Sequence, residues 1–195
     1  MTPDDPTPIG DRQSPIVNRS LPRLLRPALR LVFIGFNPGL ESARRGHYYA
    51  FHGNVFWKQL NASGLVARHV GFEDDRLLMD EAGIGFTDLC SRPTARADEL
   101  TPGELAAGAL RLHDDLLAAQ PRFAVFSGRG IYRLFGRHAL GLPARELDAR
   151  PYGAQPDRIG DTVPWVIPSS SGLASKYHRQ RLALLTELAR HARGE

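Results

Sequence analysis

Asn37 and Asp88 are the residues of this chain whose types and settings point most directly to chemistry. Asn37 sits in Gly35-Phe36-Asn37-Pro38-Gly39, immediately after the unbroken apolar run Leu31-Val32-Phe33-Ile34. Such a run reads as a strand buried on both faces. The glycines and Pro38 then turn the chain sharply, leaving Asn37 at the carboxyl end of a parallel-type strand, where open α/β sheets place their ligand crevice. Its neutral amide can donate and accept hydrogen bonds at once. Asp88 closes a second short apolar segment, Ile84 to Leu89, ahead of an Arg92-Pro93-Thr94 turn. A carboxylate there can take a proton from water, which an amide cannot; the alternative is a surface or helix-capping aspartate. Between these points Arg44, Arg45, His47, Tyr48 and Tyr49 mix cations with aromatic faces.

Other chemistries find no support. There is no GxxxxGK[ST] phosphate loop and no GxGxxG dinucleotide turn. Ser127 lacks the glycine two residues before it that a nucleophile elbow requires. Cys90, the only cysteine, and seven scattered histidines show no zinc spacing, so neither metal nor cofactor is expected. A lone cysteine excludes an intrachain disulfide framework and fits a reducing compartment. The net charge of +4 favours an anionic partner.

The elements that must position these residues follow from the pattern. Residues 1–20 are rich in Pro, Asp, Thr and Ser without periodicity and read as a flexible tail, with a single domain over 21–195. Helices are expected over Asn54 to Ser63, with Phe56, Trp57 and Leu60 inward and Gly64 as C-cap, and over Asp74 to Glu81. Thr101-Pro102-Gly103-Glu104 is a capping box that opens a third, with Leu105, Ala109, Leu112 and Leu116 as its buried stripe. Phe123 to Phe126 is a further buried strand, followed by a glycine turn and a short helix carrying Ile131, Leu134 and Phe135. Repetition of strand, turn and helix makes the sheet mainly parallel. Residues 136–164, broken by Pro143, Pro151, Pro156 and several glycines, read as loops with at most an edge strand or hairpin. Trp165 to Ile167 is another strand, and a final helix runs from about Lys176 to Arg193 with Leu182, Leu185, Leu188 and Ala189 inward. The expectation is an α/β fold, a three-layer α/β/α sandwich around a central, mainly parallel sheet. No run is long and apolar enough for a membrane span, and residues 1–15 lack the apolar core of a secretory signal, so a cytoplasmic protein is expected, nucleoid-associated if bacterial.

Gly35-Phe36-Asn37-Pro38-Gly39-Leu40, Gly46-His47-Tyr48-Tyr49 and Gly53-Asn54-Val55-Phe56-Trp57-Lys58 together resemble the mismatch-specific uracil/thymine DNA glycosylases (MUG/TDG) of the uracil-DNA glycosylase superfamily. The resemblance continues through Gly85 to Leu89, Arg92-Pro93-Thr94 and Ile167 to Leu173, and covers roughly residues 30 to 190. It implies the same sandwich, and a monofunctional enzyme that flips uracil out of DNA, from G·U mismatches above all, and hydrolyses its N-glycosidic bond. Such a site must hold an extruded base, position a water and meet the leaving group with donors. The resemblance makes Asn37 the water-positioning residue, with Gly35 and Phe36 in the base pocket. Tyr49 becomes the aromatic that stacks on the pyrimidine, and Ser42 the residue beside its ring; a turn amide, a core tyrosine and a surface serine are the plainer alternatives. Ser169, Ser171, Gly172, Leu173, Ala174 and Ser175 form a loop whose small residues let backbone approach DNA, with Leu173 as the wedge in the vacated space. Arg44, Arg45, Lys58 and Lys176 are expected at phosphates, as are Arg129 and Arg133. Three departures stand out: Ser169 where the family often has Asn, Ser175 where it can carry Arg, and Asp88 where an amide or lysine is common. The partner expected is uracil-containing duplex DNA, with single strands also possible substrates, bound by a monomer. A non-catalytic binder of damaged or single-stranded DNA and a nucleoside-processing hydrolase remain the alternatives.

Overall fold

The computed structural model describes residues 19–171 and 176–194. Five strands form one sheet in the order β2-β1-β3-β5-β4. The strands are β1 (Leu31–Gly35), β2 (Ile84–Asp88), β3 (Phe123–Phe126), β4 (Gly153–Ala154) and β5 (Val163–Val166). β1 runs parallel to both β2 and β3, and β3 parallel to β5; only the two-residue β4 at the edge is antiparallel. Every residue of β1 is buried, as continuous apolarity demands when helices cover both faces.

Alternation along the strands divides the core in two. Leu31 and Phe33 of β1, with Phe86, Val125 and Trp165, face α2 (Phe56–Ala62), α3 (Leu78–Glu81) and α7 (His178–Arg193). Val32 and Ile34, with Ala124, Phe126 and Val166, face α4 (Pro102–Ala119), α5 (Arg129–Ala139) and α6 (Ala144–Ala149). This is the three-layer α/β/α sandwich expected from the sequence. α4 begins as its capping box requires: Thr101 Oγ1 accepts the Glu104 N–H at 3.2 Å, and the Glu104 carboxylate accepts the Thr101 N–H at 2.9 Å.

Three expectations are revised. The segment after the Gly35–Gly39 turn holds a helix, α1 (Leu40–Arg45), opened by extended Gly39 and closed by left-handed Gly46; its polar composition conceals it. The helix expected over 74–81 is instead a 3₁₀ turn at Phe72–Asp74, three turn residues and the four-residue α3. Residues 136–164 hold α6 besides the edge strand β4: Pro143 supplies the extended residue before the first turn, and Leu147 is the single apolar anchor. Residues 1–18 of the anticipated tail lie outside the described residues, and Arg19 and Ser20 are exposed. Among the described residues no helix is long and apolar enough to cross a membrane.

Candidate active site

From β1 the chain moves outward on one side to β2 and then returns to the other side for β3, so the topology reverses at β1. The carboxyl end of such a strand is where doubly wound sheets open a crevice, and a cavity of about 570 Å³ lies there. It brings together Gly35, Phe36, Asn37, Ser42, Tyr49, Asp88, Ser169 and Ser171, all singled out in the sequence, with Ser127 and Ser170.

The Asn37 side chain is fixed by the turn opposite. Its Nδ2 donates to Thr94 Oγ1 at 2.7 Å and to the Arg92 carbonyl at 2.9 Å. The carbonyl can only accept, so this orientation of the amide is the one consistent with its partners. Both N–H groups are thereby engaged, and Oδ1 remains as the acceptor. Backbone pairing draws the same segments together: Leu89 N–H donates to Gly35 O, Cys90 N–H to Phe36 O and Thr94 N–H to Pro38 O.

Asp88 pairs in register with Gly35 across β2 and β1 and is 8% exposed. A Cβ at position 35 would stand 2.2 Å from Asp88 Oδ1 and 3.7 Å from Tyr49 Oη, so the glycine is what lets carboxyl and phenol converge over the strand end. Burial pushes the Asp88 carboxyl up to about 7, against the opposing pull of Arg111. Arg111 reaches from α4, donating to the Asp88 and Leu89 carbonyls at 2.5 and 3.0 Å and pairing with Asp115 at 2.7 Å. A near-neutral carboxyl in a crevice is the kind of group that exchanges protons at working pH.

Tyr49 takes a left-handed backbone (φ 52°), which turns its hydroxyl inward to share a hydrogen bond with Ser127 Oγ at 3.1 Å. One ring face stacks on Phe56, centroids 4.0 Å apart at 14°; the half-buried ring also lines the cavity. Burial raises the phenol above its ordinary range, the Ser127 hydrogen bond partly offsets this and the Asp88 charge adds to it, so Tyr49 stays neutral. Ser42 is buried, and its Oγ accepts the Ala50 N–H at 3.1 Å. It lines the pocket while holding the loop that carries Tyr49.

On the far wall, Ser169 Oγ donates to Ser171 Oγ at 3.1 Å. Behind it Arg181, 1% exposed on α7, donates to Pro168 O at 2.9 Å, to Ser169 O and to Gln59 Oε1 at 2.8 Å. Gly172, Leu173, Ala174 and Ser175 lie outside the described residues. Of the cations, Arg44 and Arg45 both pair with Glu41 on their own helix, and Arg133 pairs with Asp148. Lys58 and Lys176 are exposed, Lys176 lying 5.1 Å over the Tyr177 ring, and Arg129 lies 4.5 Å over Tyr152. Among the described residues no three His, Cys, Asp or Glu converge on a metal position.

Sequence reasoning weighed Ser127 only as a nucleophile and set it aside, and it missed Arg111, Arg181 and Asp75. Ser127 had a signal, since it follows a buried strand as Phe36 does. Arg181 had one too: it falls in phase with Leu185, Leu188 and Ala192 on the buried stripe of α7. Asp75, 1% exposed, accepts from the Tyr48 N–H and pairs with His47 Nδ1, both at 2.9 Å, and so holds the approach to Tyr49.

A sandwich with this crevice, built on Gly35-Phe36-Asn37-Pro38-Gly39, defines a class. The uracil DNA glycosylase superfamily model matches residues 22–193, and the chain belongs to that superfamily. It is also similar to the solution NMR structure of a candidate uracil DNA glycosylase from Methanosarcina acetivorans, with a TM-score of 0.57 and 21% identity over 90% of this chain and 98% of that one. At that identity the likeness shows the shared fold.

Proposed function

We propose that this protein excises uracil from DNA as a monofunctional, monomeric glycosylase of the mismatch-specific (MUG/TDG) kind, with G·U pairs as main substrate and A·U pairs and single strands also accepted. The observation that carries the reading is the Asp88 carboxyl, 8% exposed and raised by that burial to about 7, in one cavity with Asn37 and Tyr49. Breaking an N-glycosidic bond builds positive charge on the sugar while uracil leaves as an anion. With the base extruded into the cavity against Tyr49, Asn37 Oδ1 accepts from a water and aims its oxygen at C1′. Ionised Asp88 offsets the sugar cation and takes the proton as the new C–O bond forms. The products are uracil and an abasic site. In this reading a water rather than a lysine amine attacks C1′, so no Schiff base forms and the strand stays intact. Leu173 fills the vacated stack, as the sequence resemblance implies. Breadth follows from what Ser169 and Ser175 lack, because fewer partner-specific contacts narrow the gap between right and wrong substrates.

The test is uracil release from labelled duplexes that differ only in the base opposite uracil, with Asn37→Ala and Asp88→Asn alongside. Release from G·U, reduced but measurable release from A·U and single strands, and severe loss in both variants are expected. DNA binding without release from any substrate would make the protein a non-catalytic binder and sink the reading.

A further inference from the structure

Beside the cavity lies a second hollow of about 430 Å³, within the size range of small-ligand sites. Its wall includes Arg45, Tyr49, Phe51, Gly71 and Phe72. Tyr49, Phe51 and Asn54 line both spaces, so the two hollows adjoin along these residues. Phe51 is 60% exposed, so its ring is open to solvent at the rim of both hollows. It is also built in: Asn54 N–H donates to Phe51 O at 2.9 Å, and the ring lies over Gly53, where a Cβ would meet it at 2.9 Å. Across the hollow the Arg45 guanidinium stands 5.2 Å over the Phe72 ring, and the His47 ring packs against Phe72 at 5.7 Å. Arg45 is tied to Glu41 through Nε, which leaves its terminal nitrogens for another acceptor.

We propose that this hollow is a second nucleobase subsite, taking the base next to the extruded uracil when the strand is unpaired. The proposal rests on the glycosylase reading for what occupies the first cavity. Two adjoining hollows that share wall residues suit consecutive units of one polymer. Flat π faces accept any base by stacking, and the Arg45 guanidinium in the wall of the second hollow suits the intervening phosphate. In a duplex the neighbouring base is paired and stacked, so the subsite serves single strands and frayed ends.

The test is fluorescence anisotropy with single-stranded oligonucleotides carrying 2′-fluoro-2′-deoxyuridine, whose fluorine disfavours the sugar cation and preserves the bond. The 5′ neighbour, the 3′ neighbour or neither is replaced by a tetrahydrofuran abasic unit. Stacking of one base on an aromatic predicts that Kd rises on the order of ten-fold for one of the two replacements. Phe51→Ala should bind the intact strand as weakly as wild type binds that abasic strand, lose nothing further on the replacement, and recover with Phe51→Trp. Phe51 is solvent-exposed, so these variants keep the fold. A wild-type Kd indifferent to both neighbours, or equal losses in wild type and Phe51→Ala, overturns the subsite. The same strands without fluorine report uracil release separately. Release with neighbour-independent Kd removes the subsite alone, and neighbour-dependent Kd without release removes the glycosylase reading alone.

Discussion

Replacing Asp88 by Asn removes one buried proton site and almost no volume, and two measurements should follow it. Burial raises this carboxyl from its ordinary 3.8 to about 7. At 1.36 kcal/mol per pKa unit, keeping it ionised in place costs ~4 kcal/mol. The native state therefore holds a proton that the unfolded chain has already released between about pH 4 and pH 7. Where the native state binds more protons, stability falls as pH rises; it should fall through this window and level off above it. Asp88→Asn has no such proton. Its stability relative to wild type should thus climb by up to ~4 kcal/mol between pH 4 and pH 8, read as the difference between paired urea melts. Every other titrating group cancels in that difference. In single-turnover uracil release the sign is opposite for function. The wild-type rate should rise about ten-fold per pH unit below 7 and then plateau, while Asp88→Asn should be flat and ~10²–10⁴ slower. A stability difference independent of pH would refute the buried ionisation. A variant working at wild-type rate while Asn37→Ala is dead would show the carboxylate to be structural.

Gly35→Ala should abolish uracil release at a stability cost of ~1–3 kcal/mol, because its Cβ would stand 2.2 Å from Asp88 Oδ1; near-normal release would show that Asp88 can leave the strand end without consequence. Arg181→Met should destabilise by roughly 1–3 kcal/mol for each acceptor left unsatisfied, among Pro168 O, Ser169 O and Gln59 Oε1, and should raise KM more than it lowers kcat, since it loosens the serine wall and spares Asn37; an unchanged KM would count against it. DNA affinity should fall linearly on a log–log salt plot, with Lys58→Ala reducing the slope by about 1; an unaltered slope would remove Lys58 from the phosphate contacts.

The sheet and its crevice were legible because they rest on strong local signals. Leu31 to Ile34 cannot be solvent-facing, Pro38 and Gly39 cannot continue the strand, and the Thr101–Glu104 box admits one reading. α1 was not legible: Ser42, Arg44 and Arg45 break any apolar stripe, and only its capping glycines mark it. α6 was hidden in the same way among prolines, with Leu147 as its sole anchor. Asn37 and Asp88 stand at strand ends, where side chains must face the crevice, so position alone made them candidates. What the sequence could not convey is that Gly35 is the partner of Asp88. That follows from strand register across fifty residues and from a distance no spacing encodes.

The groups that hold the site are of one kind, and their chemistry explains the division of the pocket. Asp75, Arg111 and Arg181 each send a charged side chain to backbone atoms at the ends of pocket segments: the Tyr48 N–H, the Asp88 and Leu89 carbonyls, and the Pro168 and Ser169 carbonyls. Strand ends and tight turns leave such backbone groups without sheet or helix partners, and burying them unpaired is costly. Charge-assisted hydrogen bonds are the strongest non-covalent ties available for them, and one guanidinium satisfies two carbonyls at once. The walls bearing Tyr49, Asp88 and Ser169 are therefore tied at their backs, while Asn37 is tied at its own amide. Phe51 has no such tie; its turn rests on one backbone hydrogen bond and the face of Gly53. On the proposed reading, the tied walls would keep water, carboxyl and base in register, with Phe51 exposed at the mouth to meet the neighbouring base.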